Sequence, residues 1–296
     1  MIKGKILYHD LSDGIASVEG KWNLKQCPDP DCASIWLDPV PIKEDIPKLY
    51  KNYVTHKTVN KKEAWPLRIL RGIFNFFIYC NPERRRIDRM YLDTLKPGRL
   101  LDVGCGEGKR LVLMKSRGWD VVGQEVDPES KAFSLGPDFK VYLGDLHNLN
   151  LPENSFDAVT MNHVIEHLLD PLAMLMECRR ILKKGGQLVV VTQNSQSMAH
   201  DYFKKNWVGL DPPRHIFIFS AKSLKAIGLK AGFPECRIWT TCANTYGFAR
   251  WSFLIERNKG REYQRIDILL SIKAILFSIV VTIISLLKNK DKGDEC

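Results

Sequence analysis

The sequence predicts an α/β fold of the Rossmann-like, doubly wound class, in which a mostly parallel sheet carries helices on both faces. Three observations predict it. Short apolar strands alternate with helices from Arg99 onward, a glycine-rich turn follows the first strand, and acidic residues end the next two strands. Such alternation through short loops is typical of a covered parallel sheet, which binds ligands at the carboxyl ends of its strands.

The predicted elements follow in chain order. The strands are 99–103, 120–124, 140–143, 158–161 and 187–192, with 236–242 as a sixth. The helices between them are 108–118, 128–135, 171–183 and 220–231. Before the sheet, apolar residues recur at helical spacing over 65–96, and Pro97-Gly98 ends that run.

Changes in composition divide the chain into four parts. We predict a small N-terminal element with cysteines over 1–60, a helical lead-in over 61–97, the α/β domain over 98–245, and a C-terminal apolar helix with a charged tail over 246–296. The first residues contain no signal-peptide apolar run, and the eight cysteines lack a disulfide-framework spacing. These features predict a cytoplasmic protein with reduced thiols.

The net charge favours anionic partners without selecting one. Lys and Arg number 44 against 34 Asp and Glu, a formal charge of +10. Phospholipid, a phosphorylated substrate and nucleic acid all fit this balance, and so does a solvated basic surface without a partner.

The glycine-rich turn has the pattern D-x-G-x-G-x-G and leads from a strand into a helix. Its residues are Asp102, Gly104, Cys105, Gly106 and Gly108. Glycine permits positive φ and close approach of the backbone to a ligand. Helix-start N–H groups can then hold a carboxylate or phosphate.

Two other phosphate-binding motifs do not fit this turn. A dinucleotide fingerprint needs a glycine where Lys109 stands. A P-loop needs a glycine at Val103 and a hydroxyl residue at Arg110.

Polar residues follow the next three predicted strands. Glu125 ends the second strand, 17 residues beyond Gly108, and a carboxylate there suits a ribose diol. Asp145-Leu146 follows the third strand, and Asn162 ends the fourth.

With these motifs the chain resembles the class I S-adenosylmethionine-dependent methyltransferases, particularly the group of the ubiquinone-biosynthesis O-methyltransferase. The matching segments are LLDVGCGEGKRL, VVGQEVDP, GDLHNLNLPENSFDAV, MNHVIEHLLDP, LKKGGQLVVVTQN and DPPRHIFIFS, over roughly 20–245. The resemblance implies S-adenosyl-L-methionine as cofactor. It places Asp102, the glycine turn and Asn162 at the methionine end, Glu125 on the ribose, and Asp145 with Leu146 at the adenine.

A hydroxyl acceptor needs a general base, for which histidine is suited near neutral pH. His163, Glu166 and His167 share one face of a helical turn. Some relatives are thought to hold a divalent ion on a Glu-x-x-Glu-His turn, whose first Glu is replaced here by His163. Hard cations favour oxygen ligands, so we predict no metal there.

His215 is the third candidate base. It follows the fifth strand in Asp211-Pro-Pro-Arg-His, where this family often builds its acceptor pocket, and Arg214 is placed to face an anionic substrate. Asp-Pro-Pro is similar to a motif of amino-directed nucleic-acid methyltransferases. That motif belongs after the fourth strand and requires an aromatic residue at the position of Arg214, so nucleic acid is not predicted as a partner.

The N-terminal cysteines are similar to half of a zinc knuckle found in related methyltransferases. Those relatives carry a second cysteine pair upstream, whereas this sequence has none before Cys27. Structural zinc sites normally use four ligands, so Cys27 and Cys32 predict a degenerate knuckle without zinc.

The apolar segment 266–287 is about 33 Å long as a helix. It can cross a membrane as a single pass, lie at its surface, or pack against protein. Basic residues on both sides give no orientation. We predict membrane association through this segment by one of the first two routes.

Together these features predict methyl transfer to a hydroxyl of a small-molecule, glycan-like or lipid-linked acceptor. The alternative is a methyltransferase-like module that binds the cofactor without catalysis. A nicotinamide-dependent dehydrogenase is disfavoured by Lys109.

Overall fold

The computed structural model describes residues 4–16, 18–50, 82–257, 268–287 and 292–296. It contains two compact units. The parallel-sheet unit comprises Pro82–Thr192 and Lys225–Arg237, and the antiparallel-sheet unit comprises Met1–Asn81, Gln193–Leu224 and Ile238–Cys296.

The structure confirms the predicted Rossmann-like class in the parallel-sheet unit. Five parallel strands lie in the order β6-β5-β4-β7-β8. Their bounds are β4 Arg99–Val103, β5 Asp120–Glu125, β6 Lys140–Leu143, β7 Phe156–Asn162 and β8 Leu182–Val191. The strand order reverses on either side of β4, and such a switch point opens a crevice for ligands at the strand ends.

Apolar side chains of strands and helices form the core of this unit. Leu100 of β4 and Val121 of β5 pack with Leu111 and Met114 of the helix that follows the glycine turn. The helices of this unit are α1 Pro82–Asp88, α2 Lys109–Lys115 and α3 Pro171–Ile181. Helix α5 Ala221–Lys230 belongs to it from Lys225 onward. Asp170 caps α3, since its Oδ1 accepts a hydrogen bond from Ala173 N at 2.9 Å.

The antiparallel-sheet unit contains a four-stranded sheet in the order β1-β2-β3-β9. Its strands are β1 Lys5–Leu11, β2 Trp22–Gln26, β3 Ile35–Asp38 and β9 Phe217–Ile218. Cys27 and Cys32 lie in the connection between β2 and β3. Pairing of Ile35 with Ile218 brings the N-terminal element into one sheet with a segment from much later in the chain.

Among its described residues, the antiparallel-sheet unit also contains the helices α4 Met198–Phe203, α6 Thr245–Glu256 and α7 Ile268–Leu287. Residues Ile268–Ser285 of α7 are long and apolar enough to cross a membrane, with a mean hydropathy of 2.5 and 17% of the stretch buried. Length and composition alone do not distinguish a span from a surface helix.

Three predictions of secondary structure need comment. The helix predicted over 128–135 is wrong, because only the short 3-10 turn Lys131–Ser134 forms there. The sixth strand predicted over 236–242 is wrong, because this segment forms only a single bridge between Thr241 and Glu295, and Trp239 is 45% exposed rather than buried on a strand face. Most of the lead-in helix predicted over 65–96 lies outside the described residues, which resume with α1.

Candidate active site

The carboxyl ends of β4, β5, β6 and β7 lie side by side in the parallel-sheet unit. Val103 pairs with Gln124 and with Met161, and Glu125 pairs with Leu143. This register brings the glycine turn, Glu125, Asp145 and Asn162 to one edge of the sheet, as the sequence pattern predicts.

The glycine turn has a backbone that only glycine adopts easily. Gly104 and Gly106 take φ values of 63° and 54°. A Cβ on Gly104 would come within 2.6 Å of Val164 Cγ2, whereas a Cβ on Gly106 would have no described heavy atom within 4 Å. The backbone at Gly106 therefore borders open space at the strand ends.

Glu125 is buried and accepts three backbone hydrogen bonds. Its Oε2 accepts from Gly106 N at 2.7 Å, and its Oε1 accepts from Val126 N at 2.7 Å and Asp127 N at 3.1 Å. A carboxylate offers about four acceptor positions, so Glu125 retains capacity for a ligand hydroxyl.

Asp102 is wholly buried beneath the turn. Its Oδ1 accepts from Thr160 Oγ1 at 2.7 Å, while its Oδ2 has no hydrogen-bond partner among the described residues. The guanidinium of Arg110 lies nearby, with its Nη1 3.9 Å from Oδ2. Burial raises the pKa of Asp102, against the attraction of Arg110. This buried oxygen can accept a hydrogen bond from a polar ligand group.

Asp145 and Leu146 begin the turn after β6. The Asp145 side chain is partly exposed, and its Oδ1 caps the 3-10 turn Leu146–Leu149 by accepting from His147 N at 3.1 Å. Leu146 is wholly buried. The cap holds the Asp145 carboxylate at the rim of the strand ends.

A chain of three hydrogen-bonded polar side chains connects the turn after β7 with the end of β8. His163 has a φ of 55° and its side chain is 30% exposed. Its Nδ1 lies 3.2 Å from Oε1 of the buried Glu166, whose Oε2 accepts from Thr192 Oγ1 at 2.9 Å. A buried carboxylate that orients an imidazole is the arrangement of a general base with its positioning partner.

His167 lies on the same turn, where its backbone N–H donates to Val164 O at 3.0 Å. His215 lies in the other unit and is buried. Its Nδ1 donates to Gly209 O at 2.8 Å, and its Nε2 lies 3.9 Å from Asp211 Oδ2. The structure thus places His163 and His167 in one unit and His215 in the other.

The expectation that Arg214 faces an anionic substrate is wrong. Its guanidinium is fully buried, donating to both carboxylate oxygens of Asp13 and to both of Asp211. These contacts outweigh its desolvation and raise its pKa. The charge of Arg214 is therefore neutralised by two buried carboxylates inside the antiparallel-sheet unit.

Gln124 is a site residue that the sequence analysis missed. Its Oε1 accepts from Gly104 N at 3.1 Å and its Nε2 donates to Gly144 O at 2.5 Å, so it links the turns after β4 and β6. The available signal was its polar side chain directly after the apolar stretch Val121–Gly123 of the same strand.

The model of a methyltransferase-domain family matches residues 79–234, more than half of the chain. The chain belongs to this methyltransferase family. The methyltransferase is 34% identical over 120 residues to the ubiquinone biosynthesis O-methyltransferase of Cereibacter sphaeroides, covering 37% of this chain and 48% of that protein. It is 30% identical over 137 residues to the demethylmenaquinone methyltransferase of Thermotoga maritima, covering 42% and 58%.

A solved structure supports the fold of this methyltransferase. Phospholethanolamine N-methyltransferase 2 of Haemonchus contortus, in complex with phosphomonomethylethanolamine and S-adenosylhomocysteine, aligns with a TM-score of 0.52 at 16% identity, covering 94% of this chain and 69% of that one. The matches span only 37% to 58% of the length of the first curated relatives. Membership of this methyltransferase family confirms the prediction of S-adenosyl-L-methionine as cofactor.

Proposed function

We propose that this methyltransferase transfers a methyl group to a hydroxyl of a small, glycan-like or lipid-linked acceptor. The observation that supports a hydroxyl is the series of side chains Thr192, Glu166 and His163, which connects the end of β8 with the turn after β7. A hydroxyl must lose a proton, and an oriented imidazole can accept it. When bound, S-adenosyl-L-methionine supplies an electrophilic methyl group on a sulfonium.

The residues at the strand ends fit this cofactor. In our proposal Glu125 binds a ribose hydroxyl, and Asp145 and the Leu146 backbone bind the adenine edge. Asp102 and Asn162 lie at the methionine end. The unsatisfied Oδ2 of Asp102 suits a donor such as an ammonium group. The backbone of Gly104, Cys105, Gly106 and Gly108 completes the binding surface.

His163 is our leading candidate for the base because a buried carboxylate orients it. His167 on the same turn and His215 in the other unit stay predictions as alternative bases. The His215 tautomer is set by its Nδ1–H donation to Gly209 O, which leaves Nε2 as the basic nitrogen of the neutral ring.

Calorimetric titration of S-adenosyl-L-methionine into the protein tests the cofactor assignment. We expect Glu125→Ala to weaken binding by at least about tenfold, since charged hydrogen bonds contribute ~1.5–3 kcal/mol each. Asp120→Ala is the matched control, because Asp120 is an exposed carboxylate at the opposite end of the same strand. Equal affinities of wild type and Glu125→Ala would remove Glu125 from the site.

Release of S-adenosylhomocysteine in the presence of lipid and glycan extracts tests turnover. Methylation of a hydroxyl in a lipid or glycan fraction would support the proposal, and methylation of nitrogen or carbon would contradict the hydroxyl assignment. Tight cofactor binding with no turnover on any fraction would favour the alternative, a module that binds the cofactor without catalysis.

A further inference from the structure

Helix α7 packs along its length against the other elements of the antiparallel-sheet unit. Leu270, Ala274 and Val281 are buried, and they share one helix face with Phe277 because they recur at spacings of three, four and seven residues. The Phe277 ring centroid lies 5.2 Å from that of Phe203 of α4. It lies 6.4 Å from the Phe253 ring of α6.

The opposite face of α7 is exposed and almost entirely aliphatic. Over 268–285 nine residues are exposed, of which Lys273 alone is charged. The other eight are Ile268, Leu269, Ile272, Leu276, Ile279, Val280, Ile283 and Ile284. At about 100° per residue these eight cover roughly 160° of the helix surface. Monomeric soluble proteins rarely expose so large an apolar patch without an interaction partner.

The hydroxyl residues of α7 lie between these two faces. Ser271, Ser278, Thr282 and Ser285 are all partly buried and fall together on one flank of the helix. They therefore do not interrupt the exposed aliphatic face.

The packing of α7 is incompatible with a membrane span. A span would carry its packing partners into hydrocarbon, including α6 with Arg250 and α4 with Asp201. Charged side chains and irregular backbone are costly there. A helix that is packed on one side and aliphatic on the other has the character of an interfacial helix.

An exposed aromatic ring lies beside α7, and exposed lysines lie on the aliphatic face and next to that ring in the chain. Tyr202 is 61% exposed and its ring centroid lies 5.0 Å from that of Phe277. Lys204 and Lys205 follow Tyr202 in the chain and are exposed, and the exposed Lys273 lies on the face itself. Aromatic rings favour the headgroup level of a bilayer, and lysine and arginine favour anionic lipids.

We propose that the exposed face of α7 is a membrane-docking surface that lies in the plane of an anionic bilayer, with its aliphatic residues at the acyl boundary and without crossing the membrane. This inference concerns binding alone and does not depend on which acceptor is methylated.

Flotation of the full-length protein with phospholipid vesicles tests the proposal. We expect binding to vesicles of phosphatidylcholine with phosphatidylglycerol and much weaker binding to phosphatidylcholine alone. Leu276→Glu with Ile279→Glu should weaken binding by at least about tenfold, because two aliphatic contacts are replaced by charge. Met176→Glu with Leu229→Glu is the matched control, since both residues are exposed and lie outside α7.

A second pair of variants and two further readouts make the test decisive. Lys204→Glu with Lys205→Glu should weaken binding to anionic vesicles only.

Alkaline carbonate should release the bound protein, whereas retention would mean a span and overturn the proposal. Circular dichroism should show that the α7 variant is folded. Failure of the wild type to bind, or a dimer that Leu276→Glu with Ile279→Glu dissociates, would also overturn it.

Discussion

At the scale of single residues, the candidate site is a group of buried polar side chains at the ends of apolar strands. Burial of such groups is costly unless they are hydrogen-bonded. Glu125 and Gln124 meet this requirement through backbone N–H and C=O groups of the neighbouring turns. Burial, and after it the carboxylates of Asp102 and Glu125, raises the pKa of the Cys105 thiol to about 12, which disfavours the nucleophilic thiolate form.

His163 gives the first prediction at this scale. We expect His163→Ala to lower kcat for a hydroxyl acceptor by roughly 10²–10⁴-fold, the usual contribution of a general base. Glu166→Gln should lower kcat by a smaller factor, because the His163 imidazole then loses the carboxylate that orients it. The rate of S-adenosylhomocysteine release across pH measures both effects.

His9→Ala is the control, since His9 is an exposed histidine of the antiparallel-sheet unit. An unchanged kcat for His163→Ala would return the role of base to His167 or His215.

At the scale of elements, the segment Asp211–His215 is held in place by a buried ionic cluster. Arg214 bridges Asp13, near the end of β1, and Asp211 within its own turn. Burial alone would raise the pKa of Asp13, but its hydrogen bonds and ion pair with Arg214 hold that pKa below its usual value. The cluster therefore ties the N-terminal strand to the turn before β9, two segments about 200 residues apart.

We expect Arg214→Met to destabilise the protein by about 3–5 kcal/mol, because it leaves two buried carboxylates without a counter-charge. Lys222→Met removes an exposed ion pair with Asp31 and should cost at most about 1 kcal/mol. Urea unfolding of both variants measures the difference. Equal midpoints would mean that the buried cluster contributes no more than a surface pair.

At the scale of the whole molecule, residues 293–295 are integrated into the antiparallel-sheet unit. Asp294 and Glu295 are wholly buried. Asn194 N donates to Asp294 O at 2.9 Å, and Asn244 Nδ2 donates to both Glu295 carboxylate oxygens at 2.8 Å. The pKa of Asp294 is raised to about 7, mainly because the carboxyl is buried and in addition because the Glu295 carboxylate lies nearby.

This shift predicts how stability depends on pH. Because the pKa of Asp294 is raised from 3.8 to about 7 on folding, the folded state retains a proton that the unfolded state releases. The free energy of unfolding should therefore fall as pH rises through this window, by up to about 4 kcal/mol. Asp294→Asn should remove that decline, as measured by urea unfolding at several pH values. Asp31→Asn, at an exposed carboxylate of the same unit, should retain it, and a decline that persists in Asp294→Asn would contradict the assignment.

Much of the parallel sheet could be predicted because its signals are local. The five strands, the glycine turn and the acids at the strand ends lie in short segments whose spacing predicts both structure and position. The strand predicted over 236–242 was wrong because an apolar run does not reveal whether a neighbouring strand is available for pairing.

By itself, the sequence determined the Rossmann-like class, the methyltransferase family and the cofactor, since each rests on motifs of neighbouring residues. Only the tertiary structure decided the burial of Arg214, the pairing of β3 with β9, and which face of α7 is exposed. These features depend on contacts between segments far apart in the chain. Local propensity and hydrophobic periodicity do not specify which distant partners meet, so such contacts are decided when the chain packs.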